Sequence, residues 1–127
     1  MRVLIVDDEQ LILSFTTQCL ELSGFEAVGA VSAADALSAM ERASFDVVIT
    51  DMSMAPVNGI ELAREIRRVD NSVRIILATG LAASPLVATD AAVCANGEQL
   101  FDATVSKPYK IEHLVQLIHA VAPAQEN

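Results

Sequence analysis

Val3-Leu4-Ile5-Val6 is an unbroken run of branched apolar residues that ends abruptly in Asp7-Asp8-Glu9. A strand with one wet face alternates apolar and polar positions, so an unbroken run belongs to a strand covered on both faces. Phe45 to Thr50 repeats the pattern and again meets an acid, Asp51. Val73 to Ala78 ends at Thr79-Gly80, and Ala103 to Ser106 ends at Lys107-Pro108. Phe25 to Ala30 is a weaker member of the series.

Helix-length stretches separate these runs. Residues 10 to 22 carry Leu11, Ile12, Phe15, Cys19, Leu20 and Leu22, read as a core-facing stripe that stops at Gly24. Ser32 is an N-cap, with Asp35 three residues on, for a helix using Ala36, Leu37 and Met40. Ile60 to Val69 is amphipathic, with Ile60, Leu62, Ala63 and Ile66 inside and its arginines outside. Leu81 to Leu100 is dominated by Ala, Ser and Thr; Pro85 is placed to open a helix there and Gly97 to close one. Ile111, Leu114, Val115, Ile118 and Val121 form the last stripe, which Pro123 stops. Five strands each followed by helical sequence predict an α/β fold, an open, doubly wound five-stranded parallel sheet with helices on both faces. Hairpin signals, which an antiparallel sandwich needs, are missing from the sequence, as are internal repeats.

Composition narrows the function classes. The 127 residues are 53% hydrophobic, too apolar for disorder, and enough for one domain with one continuous core. Eight basic against seventeen acidic residues give a net charge of −9, which argues against direct nucleic-acid binding and against anionic membranes. Arg64, Arg67, Arg68 and Arg74 supply half of the basic residues, so one face can differ from the rest. Cys19 and Cys94 make neither a metal cluster nor a disulfide framework; they read as small hydrophobes in a reducing compartment. No transmembrane run or signal peptide is evident, and the expectation is a cytoplasmic protein.

The polar strand ends carry the chemistry. Parallel strands put all their C-termini along one edge, where ligands bind near the point at which strand order reverses. If the first and third strands are neighbours, Asp7, Asp8 and Asp51 converge, and three close carboxylates repel unless a cation or protons intervene. Hard oxygen ligands suit Mg2+. Asp51 is then placed to attack a phosphoryl group, with Lys107 as a compact positive charge and Thr79 as a hydroxyl donor. Singly, each of these residues is an ordinary turn or loop residue; their joint placement at corresponding strand ends is the signal.

At these residues the chain resembles a response-regulator receiver domain, the chemotaxis-regulator-like phosphoacceptor module of two-component signalling, over essentially its whole length. VLIVDDE resembles the first-strand acidic pair, which implies metal binding at Asp7 and Asp8. VVITD implies phosphorylation at Asp51, IILATG the family's hydroxyl at Thr79, and VSKPY the lysine at Lys107, with a cis bond before Pro108. The resemblance further implies the flavodoxin-like strand order 2-1-3-4-5, a Mg2+ cofactor and the backbone carbonyl of Ser53 as a further metal ligand. It implies a histidine kinase or histidine phosphotransfer protein as donor. The expected bounds are 1–122 for the receiver and 123–127 for a frayed tail.

Three departures stand out. The family writes proline where Ala55 stands, and Pro56 restricts Ala55 to extended geometry. Thr104 occupies the position of a common aromatic switch residue, while Tyr109 is expected to pack at the start of the last helix. Thr79 and Lys107 lie 28 positions apart (107 minus 79), and the extra residues fall between Leu81 and Phe101, a surface for a downstream protein. The chain is therefore expected to be no enzyme with a separate substrate, but a module promoting its own aspartyl phosphorylation and dephosphorylation. It would act as a free-standing regulator or as the receiver segment of a hybrid histidine kinase. A pseudo-receiver, a binding module that no longer uses phosphate, is the alternative. Aspartate-nucleophile phosphatases show D-x-D after the first strand rather than adjacent Asp7-Asp8, and no glycine-rich nucleotide loop follows any strand.

Overall fold

The computed structural model describes residues 1–53, 57–80 and 100–122. Ala55 and Pro56, Cys94, almost all of the 81–101 segment, and the tail with Pro123 lie outside the described residues.

In chain order the elements are β1 (Arg2–Val6), α1 (Gln10–Leu22), β2 (Glu26–Ala30), α2 (Ala33–Arg42), β3 (Val47–Asp51), α3 (Gly59–Val69), β4 (Arg74–Thr79), β5 (Ala103–Ser106) and α4 (Ile111–Val121). All strand pairs are parallel and the order is β2-β1-β3-β4-β5. Successive β1 residues face opposite ways, as strand geometry requires. Leu4 and Val6 join a core with Ala33 and Ala36 of α2 and Leu62, Ala63 and Ile66 of α3. Val3 and Ile5 join the opposite core with Leu13 and Leu20 of α1 and Leu114 and Ile118 of α4. Both faces of the sheet are therefore covered, which is why its strands read as continuous apolar runs.

Local signals explain where the helices begin and end. Gly24, at φ +100, supplies the left-handed residue after α1, and the Phe25 N–H reaches back to the Leu20 carbonyl. The Ser32 hydroxyl accepts the Asp35 N–H at 3.1 Å, as expected of an N-cap. Asn58 and Glu61 form a reciprocal capping box on α3, a signal in the sequence that a helix start at Ile60 passed over.

Two expectations are corrected. Of the expected α1 stripe Leu20 is buried and Ile12 and Cys19 are half-buried, but Leu11, Phe15 and Leu22 point outward, with exposures of 88%, 61% and 88%, and Leu13 and Thr16 join Leu20 in facing the core. Leu13 and Leu20 pack into the core with Ile5, Leu114 and Ile118, and Thr16 is tolerated among them because it has a hydrogen-bond partner, Tyr109 at 3.2 Å. On α3, Arg64 and Arg68 are exposed, but Arg67 turns in. Its guanidinium donates to the carbonyls of Asn71, Val73 and Leu100 and pairs with Asp102 at 3.1 Å. Asp102 also accepts the Ile75 N–H and lies 3.6 Å from Arg74. This cluster ties α3, the start of β4 and the approach to β5 together at the sheet edge opposite the strand C-termini.

Candidate functional site

Strand order reverses between β1 and β3, whose C-terminal ends lie side by side with Val6 opposite Thr50. Asp7 follows Val6 and Asp51 closes β3, so both carboxylates enter the same crevice. Asp7 and Asp51 are 3% and 7% exposed, whereas Asp8 is open to solvent. One carboxylate oxygen from each of the three lies within 4.8 Å of the others. Asp7 Oδ1 accepts the Glu9 N–H at 2.9 Å, and Asp51 Oδ1 accepts the Ser53 N–H at 3.3 Å. The remaining oxygens face Lys107, whose Nζ stands 3.2 Å from Asp7 Oδ2 and 3.3 Å from Asp51 Oδ2. Glu9, not singled out from the sequence, adds a looser contact with Lys107 at 3.9 Å.

The lysine is placed by backbone. Its N–H donates to the Thr79 carbonyl at 2.6 Å, extending the β4–β5 ladder by one residue, and its peptide bond to Pro108 is cis. Thr79 is buried at the end of β4, one residue past Ala78, the register partner of Asp51. Ser53 is exposed and touches Asp51 through its N–H. Thr104 is exposed on β5, and Tyr109 packs against the α1–α4 core.

Gly59 is a further residue on which the site depends. A Cβ there would come within 2.6 Å of the Asp51 carbonyl oxygen and 3.1 Å of Met52 Cα. The α3 N-terminus therefore approaches the end of β3 as closely as only glycine permits.

Burial is the main influence on Asp51 and lifts its pKa above the ordinary carboxylate value; Lys107 opposes this and the Asp7 charge adds to it. Burial pulls the Lys107 ammonium down, but Asp51 and Asp7 outweigh it and leave its pKa raised. The site holds more negative than positive charge in a poorly hydrated crevice. An all-oxygen donor set of this kind fits a small hard divalent cation, and among the described residues these three acids are grouped closely enough to hold one.

The match to the response regulator receiver domain family covers residues 3–119. The chain belongs to that family. Over 118 residues it is 30% identical to the response regulator receiver protein CpdR of Brucella abortus, covering 92% of each chain. It is 39% identical over 75 residues to the CAI-1 autoinducer sensor kinase/phosphatase CqsS of Vibrio cholerae, covering 59% of this chain but only 11% of that protein. The fold is also that of the response regulator protein TrrA from Thermotoga maritima, solved in complex with Mg2+–BeF. The TM-score is 0.79 at 28% identity, over 94% of this chain and 97% of that one. Receiver domains of this family interact with histidine kinases or phosphotransfer proteins and generally bind Mg2+. Among the described residues, no helix is long and apolar enough to cross a membrane.

Proposed function

We propose that residues 1–122 are the phosphoacceptor of a two-component phosphorelay, taking a phosphoryl group from a phosphohistidine donor onto Asp51 in a Mg2+-dependent reaction. The observation that carries this reading is the convergence of Asp7, Asp8 and Asp51 within 4.8 Å, with Lys107 at 3.3 Å from Asp51. Asp7, Asp8 and Asp51, with the backbone carbonyl of Ser53, would hold the ion, which when bound supplies positive charge against the incoming phosphoryl oxygens. Asp51 attacks phosphorus; the new O–P bond forms as the donor's P–N bond breaks, and the imidazole leaves with the electron pair and takes up a proton. Lys107 faces the charge that gathers on the transferred group, and the Thr79 hydroxyl donates to one of its oxygens. Water later cleaves the acyl phosphate, so the module resets itself without acting on a separate substrate. The transfer is the same chemistry in a free-standing cytoplasmic regulator and in the receiver segment of a hybrid histidine kinase.

Incubation with phosphoramidate and Mg2+ is expected to add one hydroxylamine-labile phosphoryl group, read by intact mass. Asp51→Asn and chelation of the metal should each abolish it. Labelling of the Asp51→Asn protein to the wild-type extent would place the nucleophile elsewhere.

A further inference from the structure

Lys107 reaches the carboxylates from the loop between β5 and α4. An open apolar groove of about 290 Å³ lies between Leu11, Ile12 and Phe15 of α1 and Pro108 of the loop with Ile111 at the start of α4. Deeper in, Tyr109 packs against the core that holds Leu13 and Leu20 of the helix, so the tyrosine ring is the part of the loop that reaches α1. A polar contact spans the groove, besides the looser Glu9–Lys107 pair at its rim. Thr16 Oγ1 and the Tyr109 hydroxyl lie 3.2 Å apart. Thr16 is 1% exposed, so its hydroxyl depends on that partner rather than on water. The two residues belong to the two segments that carry the opposing charges of the site. Thr16 lies on the helix that directly follows Asp7-Asp8-Glu9, and Tyr109 stands two residues beyond Lys107.

We infer that Thr16 and Tyr109 are a positioning pair that holds the Lys107 ammonium against Asp7 and Asp51; this rests on the reading of Asp51 as the phosphoacceptor. Neither residue touches the reacting atoms. With the bond broken, the Thr79 carbonyl and the carboxylates still hold Lys107, but the chain beyond it loses its tie to α1, so the ammonium is displaced on average while the three carboxylates stay where β1 and β3 put them. Phosphoryl transfer then suffers from a displaced cation. Mg2+ binding does not suffer, because a positive charge has moved away from the ion's ligands.

The experiment compares wild type, Tyr109→Phe, Thr16→Val and the double variant. Three readouts are needed: the rate of Asp51 labelling by phosphoramidate, Mg2+ affinity from amide NMR titration, and the metal-free melting temperature. Tyr109→Phe strands the Thr16 hydroxyl, so both rate and melting temperature should fall, the rate by about ten-fold. The double variant replaces a buried polar pair with a dry contact, so its melting temperature should recover towards wild type. Its labelling rate should stay low, and its Mg2+ affinity should equal or exceed that of wild type. A labelling rate that recovers together with the melting temperature would make the pair merely structural and overturn the inference. So would wild-type labelling of Tyr109→Phe, or parallel losses of Mg2+ affinity and rate. Wild-type protein that labels at a residue other than Asp51 would overturn the phosphoacceptor reading and the positioning role together.

Discussion

Replacing Asp51 by asparagine should stabilise the metal-free protein, and the gain should depend on pH. The substitution keeps the shape of the side chain and an oxygen for the Ser53 N–H, but it removes the charge and, with it, the oxygen that accepts from Lys107. At an effective dielectric of about 20, Lys107 at 3.3 Å attracts the carboxylate by about 5 kcal/mol. Asp7, no further than 4.8 Å away, repels it by at least about 3.5 kcal/mol on the same scale, and solvent-screened Asp8 adds about 1 kcal/mol. These charge effects nearly cancel, so the cost of burying an ionised group decides the sign. That matches the order of influences on its pKa, with burial first. The net penalty expected from burial is about 1 to 2 kcal/mol.

A folded-state pKa raised above the unfolded one means that Asp51 contributes stability when protonated and loses it as pH rises through the folded value. Near neutral pH the wild-type protein has lost that contribution, whereas asparagine never ionises. Asp51→Asn should therefore melt about 5 °C higher at about pH 7 with chelator present, and the gap should close on acidification to about pH 4. Saturating Mg2+ should raise the wild-type melting temperature much more than that of the variant, because the ion binds only the folded site. Scanning calorimetry at the two pH values, with and without Mg2+, measures every quantity named. A lower melting temperature for Asp51→Asn at neutral pH, or a gap of the same size at both pH values, would refute the reasoning.

Gly59→Ala places a Cβ against the backbone of Asp51 and Met52, which cannot yield as a flexible side chain would. It should cost about 1 to 3 kcal/mol in urea unfolding and shrink the Mg2+-induced stabilisation, and a variant as stable as wild type would mean that α3 shifts freely. Asp102→Asn weakens the bonds to Arg67, Arg74 and the Ile75 N–H at the far edge of the sheet, and should cost about 1 to 3 kcal/mol. Its Mg2+ response should match that of wild type, and a loss there would show that the two edges are coupled.

The strands were the most legible part of the chain because burial on both faces leaves little room for polar residues in β1, β3 and β4. The positions of Asp7, Asp8, Asp51 and Lys107 were legible for a related reason. In a parallel sheet every strand end falls on one edge, so residues far apart in sequence are placed together by topology alone. The face of α1 was misjudged because counting apolar residues favours Leu11, Phe15 and Leu22. The other stripe packs through Leu13 and Leu20, and it can include Thr16 because of a partner that the local sequence does not show, a tyrosine 93 positions away. Arg67 was misplaced likewise: an arginine on an amphipathic helix reads as solvated until the carbonyls of Val73 and Leu100 and the carboxylate of Asp102 surround it.

These misjudged residues share a property. Each supports the geometry of something else, and its worth depends on a pairing that only the finished fold creates. Lys107 itself meets Asp7 across 100 positions and Asp51 across 56. In the unfolded chain these groups are too far apart to act as one site, so the crowding of charge around Asp51 exists only after folding is complete. Its cost therefore appears in the stability of the native state and is relieved there by a cation or by loss of the Asp51 charge. On the proposed reading, a site built this way would bind a cation more tightly the more the empty fold resents the bare carboxylates, and the metal-free melting temperature and the Mg2+ response should move in opposite directions across any set of substitutions at Asp7, Asp8 and Asp51.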